Sequence, residues 1–400
     1  MQARIVFTLA NGLRAYAQSF MALRRIGISE LQVGEPVRWP VCDRNGTLLL
    51  RQGSVIANEH QLQLVLARGM FDESSSEPSP TSRPRLNEAV KPPSIFARIG
   101  ALTGEITDIH RELQGVLHEE KPNLPQRVAA LTDELRRIVK EDANAALAAL
   151  YLDTHESNIL VRHLHVAVLC DLLSVPLKLT DPQRRSLLCA AVTYDLGLGN
   201  LQETLNQQKE ALTADQLEQI YRHPFHGARM LEHAGVSDGF WLDAVLQHHE
   251  RIDGSGYPSQ LAGDAISLGA RIIGLTDIYS AMIRPRAYRD ALHSRNALRD
   301  LFMERGKMVD ARLAELLVKE VGVFPPGTLV RLKNREVCVV VRRGASAATP
   351  ELMCLVRADG TPLTRPQPRD PRDPNLAIIE AISTEQFRSL EAVLPTLFGA

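Results

Sequence analysis

No run of 18 apolar residues occurs in the 400-residue sequence, so no segment is predicted to span a bilayer. Net charge is nearly absent as well. A formal charge of −1 at pH 7 sets up no global field to draw in nucleic acid or an anionic membrane, so any bound phosphate must be held by a local site. Cysteine is sparse: Cys42, Cys170, Cys189, Cys338 and Cys354 are odd in number and show no CxxC spacing. That argues against a disulfide framework or a zinc knuckle and suits a reducing cytoplasm. No internal repeat is visible. What is present is ordinary globular material, 44% hydrophobic and 23% charged, in a chain long enough for two or three domains.

The chain divides by texture. Its opening, MQARIVFTLANGLRAYAQ, loosely mimics a cleavable signal, but Asn11, Gly12 and Arg14 interrupt the apolar stretch, and residues 1–24 read as a disordered leader. Residues 25–72 alternate turn signals (Val33-Gly34, Asn45-Gly46, Gln52-Gly53) with short runs such as Val37–Val41 and Thr47–Leu50. Asn58–Arg68 follows as an amphipathic helix with Leu62, Val65 and Leu66 on its apolar side. This predicts a small α+β module. Residues 73–94 are rich in Ser, Pro and charge and read as a linker. Residues 95–322 are helical in pattern almost throughout, with capped starts such as Thr213-Ala-Asp-Gln, where a threonine accepts from an exposed first-turn amide. From Phe324-Pro-Pro-Gly the pattern alternates in strands Thr328–Leu332, Glu336–Arg342, Glu351–Val356 and Ala377–Ile382. Residues 323–383 therefore read as a small β appendage, with 384–400 as a C-terminal segment.

The chemistry gathers in the helical region. The stretch HHERIDGSGYP, residues 248–258, sets two histidines, a glutamate and an aspartate beside a glycine-rich turn. Consecutive helical residues point about 100° apart, so His248 and His249 cannot easily chelate one ion together, but can serve two neighbouring ions, or one ion and one substrate group. Two metals about 3.5–4 Å apart are a standard device for in-line phosphoester displacement. Candidate companions are Asp195 in AAVTYDLGLGN, His223 in YRHPFHG, Asp277 in IIGLTDIYSAM and His163 in ILVRHLHVAVL. Each has a plainer reading. A lone histidine on an apolar helix is usually a core residue, Asp195 alone suits a helix end, and Asp277 alone suits a partner such as Arg271. His165 and His226 are close decoys, and His165 points about 200° from His163. Glu250 and Asp253 are candidates for orienting the ligating imidazoles, and Gly254, Gly256 and Pro258 set the turn.

The joint order is far more specific than any member. His, Tyr-Asp, His-Pro, His-His-Glu-x-x-Asp-Gly-x-Gly-Tyr-Pro, a buried Asp and an Arg-x-Tyr-Arg together resemble the HD-GYP family. These are metal-dependent phosphodiesterases of cyclic di-GMP within the HD phosphohydrolases, and the likeness covers roughly residues 145–330. It implies a mainly α fold: a helical HD-type bundle carrying the small N-terminal α+β module and the C-terminal β appendage. It also implies a centre of two ions, with one or three as alternatives, of iron or manganese. By resemblance the metal ligands are His163, Asp195, His223, His248, His249 and Asp277. Asp195 would bridge ions and help hold the attacking hydroxide. Arg286 and Arg289 would lie near substrate phosphate. The Gly256-Tyr257-Pro258 loop would shape the rim and contact partners such as diguanylate cyclase or other signalling proteins.

Two departures matter. The family's His-Asp pair is Tyr194-Asp195 here, and its lysine three residues after the Asp is Leu198. The centre loses an imidazole and the phosphate clamp loses a cation. Tyr194 either ligates a ferric ion as phenolate or fills the vacated space and shields one metal position. The expectation is a cytoplasmic bacterial signalling protein that hydrolyses the 3'-5' phosphodiester bonds of cyclic di-GMP at a weakened site. The alternative is a non-catalytic cyclic di-GMP receptor or docking module.

Overall fold

A computed structural model describes residues 23–26, parts of 31–72, and residues 93–115, 123–152, 160–284, 291–383 and 393–399. Residues 1–22 of the expected leader, most of the linker at 73–94 and residues 384–392 lie outside the described residues. The chain forms two compact units, Met1–Val90 and Lys91–Ala400.

In the first unit, β1 (Leu23–Arg25), β2 (Val41–Cys42), β3 (Leu48–Leu50) and β4 (Met70–Asp72) form an antiparallel sheet in the order β1-β4-β2-β3. Val37, Val41, Ile56, Leu62 and Val65 are buried together beneath it. Leu62, Val65 and Leu66 are helical and face that core, as their spacing predicts. The closing pair β1–β4 was not predicted, because three-residue strands are too short for alternation to register.

The second unit is built on helices α1 (Ile95–Gly115), α2 (Leu124–Leu152), α3 (Leu160–Ser174), α4 (Asp181–Ala191), α5 (Leu201–Gln207), α6 (Ala214–His233), α7 (Gly239–Gln247), α8 (Leu268–Met282), α9 (Ser294–Met303) and α10 (Ala311–Val321). Helix α2 breaks at Asp142, whose backbone is extended (φ −153°, ψ 99°). The Asp142 carboxylate accepts from the amides of Asn144 (2.8 Å) and Ala145 (3.0 Å) and so caps the second half of the helix. Thr213 caps α6 with a reciprocal bond from Gln216, as the sequence predicts. Helices α3 and α8 are buried on nearly every face, which marks them as the centre of the bundle. They pack against each other, and Arg162 of α3 meets Asp277 of α8 there.

Beyond Gly322, the residue that ends α10 at φ +82°, β5 (Leu329–Leu332), β6 (Val337–Arg342), β7 (Glu351–Val356), β8 (Pro362–Arg369) and β9 (Ile378–Ile382) form an antiparallel sheet in the order β8-β7-β6-β5-β9. Four of these strands match the predicted runs. Strand β8 does not. Its three prolines, Pro362, Pro366 and Pro368, argue against a strand, yet they are tolerated because β8 is the sheet edge. The sheet is fixed to the bundle by Arg343, which donates to Asn144 Oδ1 (3.0 Å) and to the Glu320 carbonyl (2.6 Å).

Candidate metal centre

Ligand atoms of Asp195, His223, His248 and His249 lie within 4.8 Å of one another. The first three are buried and His249 is half-buried. Three separate elements deliver them. Asp195 starts a short 3-10 turn, Leu196–Leu198, after α4. That turn lies directly on α6, because a Cβ on Gly197 would stand 2.0 Å from the His223 carbonyl oxygen. His223 sits within α6, and His248 caps the end of α7. Because α7 stops at Gln247, His248 and His249 are not held at the helical 100° spacing. Both reach one cluster, with rings 4.2 Å apart.

The tautomers follow from local backbone. Pro224, next to His223, has no N–H to give to the Ile220 carbonyl four residues back. His223 Nδ1 donates to that carbonyl instead, at 2.6 Å. In the last turn of α7, where helical carbonyls lose their donors, His248 Nδ1 donates to Val245 O, also at 2.6 Å. In the neutral rings that metal ligation requires, the proton is thus on Nδ1 and each Nε2 presents a lone pair. The two Nε2 atoms face each other at 3.3 Å and lie 3.3 and 3.6 Å from Asp195 Oδ1. Three acceptors meet with no donor between them, an arrangement that asks for a cation. An ion about 2.1 Å from each nitrogen or oxygen ligand sets neighbouring ligands about 3.0–3.4 Å apart, close to the separations found. Burial, with His248 and His223 nearby, holds the His249 imidazole well below 6.5 and therefore neutral, as ligation requires.

The other expected ligands go elsewhere. His163 packs its ring against Tyr194 (4.8 Å) and His110 (5.0 Å) and is not among the four converging residues. The residue of α3 that faces the site is its neighbour Arg162, turned by one helical step. Arg162 Nη2 lies 2.8 Å from Asp195 Oδ2 and 2.7 Å from Asp277 Oδ1. Its Nε donates to Asp277 Oδ1 (2.8 Å) and to the Tyr194 hydroxyl (3.0 Å). Tyr194 in turn donates to Asp277 Oδ1 at 2.5 Å. Asp277 is thus engaged by Arg162 and Tyr194, whereas Arg271 pairs with Asp264 and Asp310. Burial opposes the Arg162 charge, but Asp277, Tyr194 and Asp195 outweigh it and keep the guanidinium charged. Burial, reinforced by Asp277 and Asp195, raises the Tyr194 phenol well above 10 and keeps it protonated. Burial would raise Asp195 too, yet the Arg162 guanidinium beside it holds it well below 3.8, ionised. Gln202 adds a bond to Asp195 Oδ2 at 3.0 Å.

Glu250 and Asp253 bond to backbone rather than to imidazole. Buried Glu250 accepts from the amides of Ser259 (2.7 Å) and Leu261 (3.0 Å), fixing the loop that follows the cis Tyr257-Pro258 bond. Asp253 accepts from Ser255. Gly256 has no room for a side chain, since a Cβ would lie 2.4 Å from the Arg251 amide nitrogen. Tyr257 is thereby laid on His249, with the rings stacked at 4.6 Å. His165 packs between Tyr151 and Tyr279, and burial drives its pKa to about 3, so it is a core residue. Leu198 is half-buried. Arg286 and Arg289 lie outside the described residues.

Arg162 and Gln202 were missed from sequence. The signal for Arg162 was present: a charge in the apolar helix ILVRHLHVAVL needs a buried partner as much as Asp277 does.

The profile of the HD domain family matches residues 123–313. The chain is similar to cyclic di-GMP phosphodiesterase PA4108 of Pseudomonas aeruginosa, at 33% identity over 229 residues, 57% of this chain and 55% of that protein. It is similar also to the cyclic di-GMP phosphodiesterase response regulator RpfG of Xanthomonas campestris pv. campestris, at 32% identity over 201 residues, 49% of this chain and 52% of that protein. The chain spans about half the length of these curated relatives. Among solved structures, Bd1817, a HDG"Y"P protein from Bdellovibrio bacteriovorus, aligns over 74% of this chain and 98% of its own, with TM-score 0.47 and 18% identity. Among the described residues no helix is long and apolar enough to cross a membrane. The HD domain match, the two curated relatives and the HHERIDGSGYP stretch that closes the cluster together support membership of the HD-GYP family.

Proposed function

We propose that the chain is a metal-dependent phosphodiesterase of cyclic di-GMP signalling with a weakened site. The observation that carries this reading is the convergence of His223 Nε2, His248 Nε2 and Asp195 Oδ1 with no donor between them. The substrate is taken from what the two curated relatives are named for. Asp195, His223, His248 and His249 would hold a transition ion, and their nitrogen and oxygen donors suit iron or manganese. When bound, such an ion polarises a phosphoryl oxygen and brings a coordinated water to ionise near neutral pH.

The chain's own residues do the rest. The Ile220 and Val245 carbonyls keep both imidazoles in the ligating tautomer. Glu250 and Gly256 set Tyr257 as a wall over His249. Arg286 and Arg289 are proposed to meet substrate phosphate, and the Gly256-Tyr257-Pro258 loop to meet partner proteins. The weakness is local: Tyr194 stays a protonated phenol bonded to Asp277, and Leu198 brings no cation to the phosphate.

A second reading, a cyclic di-GMP receptor without turnover, draws on the same Arg162–Asp195 bond, which ties up one oxygen of the carboxylate. The test is incubation of anaerobically purified, iron- or manganese-supplied protein with cyclic di-GMP. Slow hydrolysis that a chelator abolishes supports the phosphodiesterase. Saturable binding with no product overturns it in favour of the receptor.

A further inference from the structure

Asp195 divides its two oxygens between two kinds of positive site. Oδ1 faces the imidazole cluster, 3.3 Å from His223 Nε2. Oδ2 takes the Arg162 guanidinium at 2.8 Å. In a two-ion centre a bridging carboxylate gives one oxygen to each ion, so that the second ion lies beside the far oxygen. Here the group beside the far oxygen is a side chain. The guanidinium also reaches Asp277, the other carboxylate expected of the centre, through both Nη2 (2.7 Å) and Nε (2.8 Å). The phenol of Tyr194, fully buried, closes the same space. Its hydroxyl lies between Arg162 Nε and Asp277 Oδ1, and its ring stands 4.8 Å from His163 and 5.1 Å from His248. Two buried carboxylates facing each other need a cation between them, and in this chain that cation is covalently part of helix α3.

We infer that Arg162 stands in for a second metal ion: the chain binds one transition ion, on Asp195, His223, His248 and His249, while the Arg162 guanidinium supplies the fixed charge on the other side of Asp195 and keeps Asp277 out of coordination. The inference rests on the metal centre proposed above. It assigns Tyr194 and Arg162 a joint role. The tyrosine vacates a ligand position, and the arginine fills the charge that the missing ion would have brought. An ion exchanges with solution and a guanidinium does not, so this half of the site stays loaded whatever the metal supply.

The test is metal content and spectrum rather than rate. Wild-type full-length protein, purified anaerobically and saturated with Mn(II) before removal of loose metal, should carry one ion per chain. It should give the six-line electron paramagnetic resonance signal of an isolated Mn(II). Two ions per chain, or an exchange-coupled spectrum, would overturn the inference and leave the metal centre standing. No bound ion at all would overturn the metal centre and the inference with it. Arg162→Ala opens the space and leaves Asp277 without its cation. It should lower the melting temperature in chelator, take up a second equivalent of Mn(II), a doubling of metal content, and recover melting temperature as it does so. An Arg162→Ala protein as stable as wild type and still holding one ion would also overturn the inference.

Discussion

His223 Nε2 and His248 Nε2 face each other at 3.3 Å, and each ring has already given its proton to a carbonyl of its own helix. One carbonyl is freed by Pro224 and the other by the end of α7. Two backbone interruptions, readable in the chain as a proline and a helix end, therefore fix which ring nitrogen of each histidine faces the cluster. The same rings in an unbroken helix would compete with backbone amides for those carbonyls.

The Tyr194 hydroxyl separates the two roles considered for this residue. If Tyr194 fills space and bonds Asp277, Tyr194→Phe should leave metal content unchanged. It should lower stability by about 1–3 kcal/mol, the cost of removing one partner from a buried hydrogen bond. Metal analysis beside a urea melt checks both. Loss of the metal without loss of stability would instead make the tyrosine a ligand.

Glu250 is a loop clamp in this account. Glu250→Ala leaves the Ser259 and Leu261 amides without their acceptor, and the loop should open locally while the bundle stays folded. Hydrogen exchange should accelerate at those two amides and at Tyr257, whose ring leans on His249, with α3 and α8 protected as before. Unchanged exchange at Ser259 and Leu261 would contradict the clamp.

In the β-sheet, Glu336 takes two bonds from Arg369, both at 2.7 Å. The bonds to Arg369 lower its pKa from 4.5 to about 2. A carboxylate with a depressed folded-state pKa stabilises fully above its unfolded value, and that contribution fades as pH falls through the folded one. Wild type should therefore lose stability relative to Glu336→Gln between pH 4.5 and about 2, while at neutral pH the variant should be weaker by about 1–3 kcal/mol. Parallel acid limbs in urea unfolding would show that the pair contributes nothing.

Much of the site was legible because its residues carry their chemistry in their type and spacing. His248 and His249 of HHERIDGSGYP lie together with Asp195 and His223. The choice between Arg162 and His163 was not legible. Helix α3 is buried on nearly all faces, so no polar stripe marks which residue looks inward, and residue type favoured the histidine. Asp277's need for a partner was clear, but Arg271, six residues earlier on the same helix, points about 240° away, and Arg162 reaches Asp277 only once α3 packs on α8. Glu250 was placed beside the imidazoles by adjacency in sequence, whereas the turn carries its carboxylate to the loop amides. Strand β8 was hidden by prolines that only an edge position permits.

The central claim is a metal-dependent hydrolytic site made of Asp195, His223, His248 and His249. The most direct test is a titration of Mn(II) into chelator-stripped, anaerobic wild-type protein and its His249→Ala variant, with cyclic di-GMP consumption followed at each step. The account predicts turnover that is absent without metal, rises to saturation with it, and stays absent from a folded variant that no longer retains the ion. Turnover indifferent to metal, or a His249→Ala protein that binds metal and hydrolyses the dinucleotide as wild type does, would contradict it.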